Sequence, residues 1–160
     1  MDVTLGIGTR TGPPPRTRRC LAHAQLDQQP VDAAARDELF ARALCLAGVR
    51  QAASGISVPG AVALVLDEHD GPQDAFMVGG EFAHFHPLPD LSLHLTLPPE
   101  AAGEVLIGGW GEPHYLAARG ELPATHLMIY APRDSIEVDS VWKILQTSHT
   151  FARGSPRRST

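Results

Sequence analysis

The alternation of apolar and polar residues over 91–97 (Leu-Ser-Leu-His-Leu-Thr-Leu) constrains the fold more than any other feature of this chain. Successive side chains of a strand point to opposite faces of a sheet, so a period of two predicts a β-strand. Three further predicted strands precede it, over 61–66, 75–78 and 81–86, and short stretches of turn residues separate all four. Because parallel strands need long crossovers, these short turns predict an antiparallel sheet.

Three segments have the residue spacing of helices and divide the strands into groups. The first covers 32–47, the second begins at Pro98-Pro99 and the third starts after Pro132. Proline costs nothing at the first position of a helix, where its missing N–H would have no partner. Asp134, followed three residues later by Glu137, resembles a capping box and marks the start of the third helix.

Two more apolar segments, 114–118 and 126–131, are predicted to be strands, whereas residues 51–60 are rich in turn formers and are predicted to be a loop. The resulting order is helix, about four strands, helix, two strands and helix. This order predicts an α+β fold, in which an antiparallel sheet of about five to six strands carries three helices packed on it.

A length of 160 residues fits one domain. Residues 1–20 are rich in glycine and proline and hold few apolar anchors, so they are predicted to form a flexible basic arm. Residues 154–160 are predicted to be a flexible tail. The single α+β domain is therefore expected over residues 21–153.

Charge is distributed unevenly along the chain, whose formal net charge is −5. Residues 1–20 and 153–160 each carry a net charge of +3, which leaves −11 for residues 21–152. An acidic body repels phosphate backbones, so we do not expect nucleic acid as a partner. A small-molecule substrate is the expected partner, and a homodimer is left open.

No part of the sequence is apolar for the 18 or more residues that a membrane-spanning helix requires. The N-terminus has no apolar signal region, and the two cysteines, Cys20 and Cys45, cannot form a disulfide scaffold. A cytoplasmic protein without membrane partners is the expectation.

Histidine is concentrated in the predicted sheet. Five of the eight histidines lie within 43 positions: His84, His86, His94, His114 and His126. Two residues separate His84 from His86, which places both on one face of a strand. The hairpin register decides the position of His94. Pairing of residue 86 with residue 91 puts it on the opposite face, and pairing with residue 90 puts it on the same face. The sequence leaves both registers open.

Clustered imidazoles favour the neutral form, because each positive charge lowers the pKa of its neighbours. Neutral imidazole acts both as a general base and as a metal ligand. Nearby carboxylates, including Asp90, can orient a ring or bind a metal. Two aromatic residues, Trp110 and Tyr130, can form the walls of a pocket for an organic substrate.

The first functional hypothesis is a small cofactor-independent enzyme that acts on an organic metabolite, in secondary metabolism, by cyclisation, isomerisation or elimination. In this hypothesis His84 or His86 is the general base, a glutamate orients it or acts as the acid, and Arg133 holds an anionic oxygen. The candidate catalytic residues are His84, His86, Glu81, His114 and Glu112. The candidate substrate-binding residues are Trp110, Tyr130, Arg133 and His94.

Two alternatives stay open. No cofactor is favoured, but a divalent metal is compatible with the histidine cluster, and its ligands would be His84, His86 and His94, or His114 in place of His94. The other alternative is a non-catalytic module that binds a small molecule or a protein, with the histidines as a polar network.

Four motifs resemble the luciferase-domain family, whose members are small, mostly uncharacterised proteins of actinobacteria and fungi. The motifs are Glu81-Phe-Ala-His-Phe-His-Pro87, Ser92-Leu-His94 with Leu97-Pro98-Pro99, Trp110-Gly-Glu-Pro-His114 and Tyr130-Ala-Pro-Arg133. The resemblance covers about residues 60–151 and brings no established catalytic template, so it does not imply light emission. Tyr115 departs from the small residue or proline that usually follows the last motif histidine.

A looser resemblance connects the layout of residues 78–128 to the double-wing, CyaY-like α+β group of the MmcQ/YjbR type. This resemblance implies the same α+β class. Some members of that group are labelled DNA-binding, and the charge of −11 in the body of this chain argues against that role.

Overall fold

The computed structural model describes residues 4–154, and they form an α+β structure around one six-stranded antiparallel sheet. The strands of that sheet follow the spatial order β3-β4-β5-β6-β8-β7. They are β3 (Val49–Ala53), β4 (Val62–Leu66), β5 (Glu81–Phe85), β6 (Leu93–Thr96), β7 (Gly111–Pro113) and β8 (His126–Ile129). A separate two-stranded ribbon contains β1 (Thr17–Arg18) and β2 (Ala24–Gln25). The predicted fold class and strand number are confirmed.

Four α-helices accompany the sheet: α1 (Ala34–Leu44), α2 (Pro99–Ile107), α3 (Tyr115–Ala118) and α4 (Ser135–Arg153). The predicted start of the last helix is confirmed, since the Asp134 carboxylate accepts a hydrogen bond of 2.9 Å from the backbone N–H of Glu137. None of the helices in residues 4–154 has the length and apolar character that crossing a bilayer requires.

The hydrophobic core lies between one face of the sheet and the pair of helices α1 and α4. Cross-strand register puts Phe85 beside Leu93, and the Phe85 ring meets the Phe40 ring of α1 edge-on at a centroid distance of 5.1 Å. Leu95 and Leu127 pair on the same face and are fully buried. The odd-numbered residues of β6 therefore anchor the helices, and its even-numbered residues lie on the other face.

The β5–β6 hairpin pairs His84 directly with His94. Residue 86 consequently lies opposite residue 92, and the backbone N–H of His86 donates to the Ser92 carbonyl at 2.9 Å. Neither register considered from the sequence is observed, because the connecting loop is longer than either register allowed. The observed pairing differs from the second register by an even number of residues, so the side chains keep the same faces. His94 therefore shares a face with His84 and His86.

Three of the predicted elements are wrong. Residues 75–78 are not a strand: a 3₁₀ turn covers Gln73–Ala75, and Val78 makes an isolated bridge to Glu81. Residues 114–118 belong to α3 rather than to a strand, because the His114 side chain caps this helix. Residues 51–60 begin as part of strand β3, whose exposed edge position removed the apolar alternation that identifies a strand.

The described part of the predicted flexible arm, residues 4–20, packs against the domain. The Trp110 indole N–H donates to the Gly8 carbonyl at 2.6 Å, and the backbone N–H of Arg10 donates to the Gly108 carbonyl at 2.8 Å. Leu5 joins the core. A few buried anchors and backbone hydrogen bonds therefore hold a segment whose composition suggested mobility. Of the predicted tail, residues 155–160 lie outside the described part of the chain.

Candidate functional site

A cavity of about 280 Å³ opens on the sheet face that points away from α1 and α4. Six histidines line it: His23, His84, His86, His94, His114 and His126. The other lining residues are mostly apolar and come from the β1–β2 loop, the β3–β4 loop, the segment before β5, α3 and the loop after α3. Within residues 4–154, no Asp, Glu, Lys or Arg lines the cavity. An apolar cleft with a few convergent polar groups is typical of a small-molecule site.

A β-bulge brings the first carboxylate to this face. Leu64 pairs with Ala83 and Val65 pairs with Glu81, which leaves Phe82 as an extra residue in β5. The bulge turns Phe82 into the core and returns Glu81 to the face of His84, where its Oε1 lies 2.8 Å from His84 Nδ1. Simple alternation would put residues 81 and 84 on opposite faces.

Burial alone would raise the pKa of Glu81, but its hydrogen bonds bring that pKa below the ordinary value. The donors besides His84 are the Ser54 hydroxyl at 2.7 Å and the Gly55 backbone N–H at 3.0 Å. An ionised Glu81 can only accept, so His84 Nδ1 carries the ring hydrogen that it donates.

His86 is held by a second carboxylate in the same way. Its Nδ1 lies 2.7 Å from Asp90 Oδ2 and 3.0 Å from Ser92 Oγ, and the Ser92 hydroxyl donates to the other Asp90 oxygen at 2.6 Å. Burial opposes ionisation of Asp90, yet the hydrogen bonds from His86, Ser92 and the backbone of Gln25 lower its pKa. His86 Nδ1 therefore carries the hydrogen, and Nε2 is left with its lone pair.

A row of imidazoles crosses the site between Glu81 and Glu112. His84 Nε2 lies 3.0 Å from His94 Nδ1, and His94 Nε2 lies 3.1 Å from His23 Nδ1. His23 Nε2 then lies 2.7 Å from Glu112 Oε1. Both glutamates are buried. The row runs from β5 through β6 and the β1–β2 loop to β7, past the intervening strand β8, with a carboxylate at each end.

Glu112 connects the β1–β2 loop to the sheet. It accepts hydrogen bonds from the Thr17 hydroxyl at 2.8 Å and from the Arg19 guanidinium at 3.2 Å. Burial would raise the pKa of Glu112, but the bonds from His23 and these two donors bring it below the ordinary value. The loop that carries His23 is therefore fixed against β7 by one ionised carboxylate.

Burial favours the neutral form of four cavity histidines, which are His84, His94, His114 and His126. Burial lowers the pKa of His84, and burial together with the surrounding imidazoles lowers the pKa of His94 well below its ordinary value. Burial and the neighbouring His23 lower the pKa of His114 to about 4. Burial also lowers the pKa of His126, although hydrogen bonds to backbone carbonyls oppose this shift.

His114 has its ring hydrogen fixed by the backbone. Its Nδ1 accepts a hydrogen bond of 3.2 Å from the N–H of Leu116, so the hydrogen of the neutral ring lies on Nε2. His114 thus offers an N–H where His86 offers a lone pair. The cavity holds an acceptor and a donor whose directions are both set by their partners.

Three residues expected to contact substrate lie outside the cavity lining. The Trp110 indole N–H donates to the Gly8 carbonyl, and Arg133 pairs with Glu137 at the start of α4. The Tyr130 hydroxyl lies 3.3 Å from a Glu112 oxygen, and burial and that carboxylate raise the pKa of Tyr130 to about 12. These three side chains contribute to packing and positioning around the site.

Sequence reasoning missed His23 and the apolar rim of the cavity. His23 lies 71 residues before His94 and follows a segment whose composition predicted a flexible arm. Leu21 and Ile56 line the cavity and are 86% and 53% exposed, so they form a rim that solvent also touches. Single exposed apolar residues in loops give no sequence signal of this kind.

Comparisons with known proteins agree with the motifs. Residues 79–148 match the family model of the Luciferase domain. The luciferase of Armillaria mellea is 37% identical over 82 residues, which cover 50% of this chain and 31% of that protein. The luciferases of Armillaria ostoyae and Neonothopanus nambi are each 37% identical over 78 residues, which cover 48% of this chain and 29% of each relative. No solved structure matches the chain. The matched segment contains β5 through most of α4.

Proposed function

We propose that this protein, whose resemblance to the luciferase-domain family is confirmed over residues 79–148, is an enzyme that removes a proton from a small organic molecule bound in the histidine cavity. The curated relatives are named as luciferases, and the segment that matches the family model contains His84, His86, His94 and His114. The match covers about 30% of those relatives, so we do not transfer light emission itself.

The chemistry of the cavity lining favours a small substrate without a formal charge. A charged ligand would lose its hydration on entry, and no lining residue carries an opposite permanent charge to replace it. The volume of about 280 Å³ is at the lower end of the range for ligand sites, roughly 300–1,000 Å³. A compact ketone, enol or phenol with largely apolar surface meets both conditions.

The observation that carries the proposal is that two fixed imidazoles have opposite hydrogen-bonding roles. His86 presents a lone pair, and His114 presents an N–H. The lone pair on His86 Nε2 is the general base, and Asp90 on Nδ1 holds the ring and stabilises the imidazolium that forms. The N–H on His114 Nε2 donates to the substrate oxygen on which negative charge develops. His84 is the second candidate base, although its Nε2 already lies against His94 Nδ1.

The proposal is tested by deuterium exchange at carbon next to a carbonyl group, followed by NMR in D₂O over a panel of uncharged ketones of suitable size. We expect the wild-type protein to accelerate exchange for at least one compound. His86→Gln should lower that rate by about 10²–10⁴-fold, as expected for loss of a general base. The matched control is His69→Gln, which changes an exposed histidine outside the cavity lining.

Two results would contradict the proposal: full exchange activity in His86→Gln, or no acceleration by the wild-type protein for any compound that binds. The second result would favour the non-catalytic binding module.

A further inference from the structure

The directions of the hydrogen bonds in the imidazole row can be followed inward from Glu81. This carboxylate accepts from Ser54, from Gly55 and from His84, so it acts as an acceptor only. His84 therefore donates from Nδ1. A neutral ring has a single N–H, so His84 Nε2 presents a lone pair toward His94.

The hydrogen-bond directions at the Glu112 end of the row are fixed in the same way. Glu112 accepts from Thr17 and from Arg19, so His23 donates to it from Nε2. His23 Nδ1 is then a lone pair, which accepts the Nε2–H of His94. His94 Nδ1 is consequently a lone pair as well.

The two directions meet at a contact that neutral rings cannot satisfy. His84 Nε2 and His94 Nδ1 lie 3.0 Å apart, and both are acceptors. Two lone pairs at this distance repel each other unless a cation lies between them. The third lone pair nearby is His86 Nε2, and one ligand nitrogen from each of the three rings lies within 4.8 Å of the others.

We propose that a divalent transition-metal ion of the Zn²⁺ type binds between His84 Nε2, His86 Nε2 and His94 Nδ1. Imidazole suits such ions, and tetrahedral zinc places its nitrogen ligands about 3.4 Å from one another at the usual Zn–N distance of about 2.0–2.1 Å. Small ring movements that open the contact between His84 and His94 create this spacing.

The groups that bond to the far nitrogens of the three rings are of the kind that surround metal ligands in proteins. Glu81 backs His84, Asp90 backs His86, and His94 donates to His23, which is in turn held by Glu112. Carboxylates on the far nitrogen of a ligating imidazole fix its tautomer and strengthen it as a ligand. The three carboxylates also balance the charge of the ion in a buried site.

A second group of nearby imidazoles, His23, His94 and His114, does not offer this chemistry. The Nδ1 of His114 accepts the Leu116 N–H, so its Nε2 carries a hydrogen instead of a lone pair. The hydrogen-bond directions therefore favour His84, His86 and His94 as the metal ligands.

The inference deepens the proposed function, and its catalytic part rests on that function, whereas metal binding is independent of it. The fourth position of a three-histidine ion faces the cavity and is open to a substrate oxygen. An ion there polarises the bound substrate oxygen, and His86 then serves as its ligand rather than as the general base, so the substrate proton passes to water in the open cavity.

The test uses full-length protein without a polyhistidine tag. Metal content is measured by mass spectrometry after purification, and the chelator-treated protein is titrated with Zn²⁺ and with Co²⁺ against a chromophoric competitor. We expect about one ion per chain. His86→Gln should lose most of the affinity, and Asp90→Asn should weaken it by about 10–100-fold. His114→Gln and His126→Gln are the matched controls and should bind within about threefold of wild type.

Thermal unfolding gives a second measurement, because a ligand that binds the folded state raises Tm. Zn²⁺ should raise Tm for wild type and for His114→Gln, and it should raise Tm less for His86→Gln and Asp90→Asn. Less than about 0.1 ion per chain after reconstitution overturns the inference, and so does loss of binding in His114→Gln with retention in His86→Gln. If binding fails while deuterium exchange persists, only the metal inference falls. If metal binds and no exchange occurs, only the proposed function falls.

Discussion

The two faces of the sheet are made by the same strands, but one face buries apolar side chains and the other buries polar ones. On β6, Leu93 and Leu95 face the helices, whereas His94 and Thr96 face the cavity side, and all four are buried. The helix face excludes water by apolar contact and stabilises the fold. The cavity face buries imidazoles, whose burial costs free energy unless every polar atom finds a partner. A chain that keeps such a face gives up stability there, which is typical of functional sites.

Histidine itself behaves differently on the two faces. His149 lies on α4, packs near Phe82 and donates from Nε2 to the Ala47 carbonyl at 2.9 Å. It has one backbone partner, as expected of a structural residue. The facing nitrogens of His84 and His94 lie 3.0 Å apart, and each ring donates to a further side chain, Glu81 and His23 respectively. Burial alone therefore does not distinguish the histidines of the proposed site from His149, whereas their contacts with one another do.

The largest expected effect is on the helix face. Leu95→Ala removes a fully buried side chain from the core and should lower the free energy of unfolding by about 2–5 kcal/mol, since it leaves a cavity. Urea unfolding measures this loss. A loss below about 1 kcal/mol would mean that this face is not the main source of stability.

On the cavity face, the expected loss is smaller and local. Glu112→Ala leaves Thr17 and His23 without their acceptor and should lower the free energy of unfolding by about 1–3 kcal/mol. It should also speed tryptic cleavage at Arg18 and Arg19, because the β1–β2 loop loses its attachment to β7. Unchanged cleavage with unchanged stability would show that the loop is held by other contacts.

Acid should weaken the helix face through His149. Burial lowers the pKa of His149 in the folded protein, so the unfolded chain binds more protons below about pH 6.5. This residue therefore contributes stability above pH 6.5, and the contribution falls as the pH decreases toward the folded-state pKa. The slope from one such group is at most about 1.4 kcal/mol per pH unit.

Urea unfolding at several pH values between 7.5 and 5.5 measures that slope. His149→Gln keeps a donor for the Ala47 carbonyl and cannot titrate, so its stability should depend less on pH than that of the wild type. Equal slopes for the two proteins would exclude this role for His149.

The smallest effect is expected at the sheet edge, which belongs to neither buried face. Arg50 of β3 pairs with Asp67 at 2.6 Å, and both side chains are more than half exposed. Exposed ion pairs contribute little, so Arg50→Ala should shift the urea midpoint only slightly. A larger loss, measured in the same urea assay, would give this edge a structural role that the comparison of the two faces does not include.

The parts of the fold that the sequence predicted are those set by local pattern. The alternation over 91–97, the cap at Asp134 and the common face of His84 and His86 each depend on neighbours a few residues away. α3 was missed because it is a short helix whose cap is the His114 side chain, and histidine is not among the residues that usually mark a helix start.

The parts of the site that the sequence could not predict depend on long-range packing. The bulge at Phe82 brings Glu81 to His84, although alternation over 81–84 separates them. His23 reaches the site through an attachment between Thr17 and Glu112 that spans 95 residues. Trp110 and Arg133 were expected in the pocket, but both are used by the N-terminal segment and α4.

The cavity imidazoles are held in fixed directions by their hydrogen-bond partners. Long-range ¹H–¹⁵N NMR correlation of the histidine rings in metal-free protein at pH 7.5 tests this arrangement directly. We predict a hydrogen on Nδ1 for His84 and His86, and on Nε2 for His114. Averaged tautomers with the shifts of free histidine for these three rings would contradict the account.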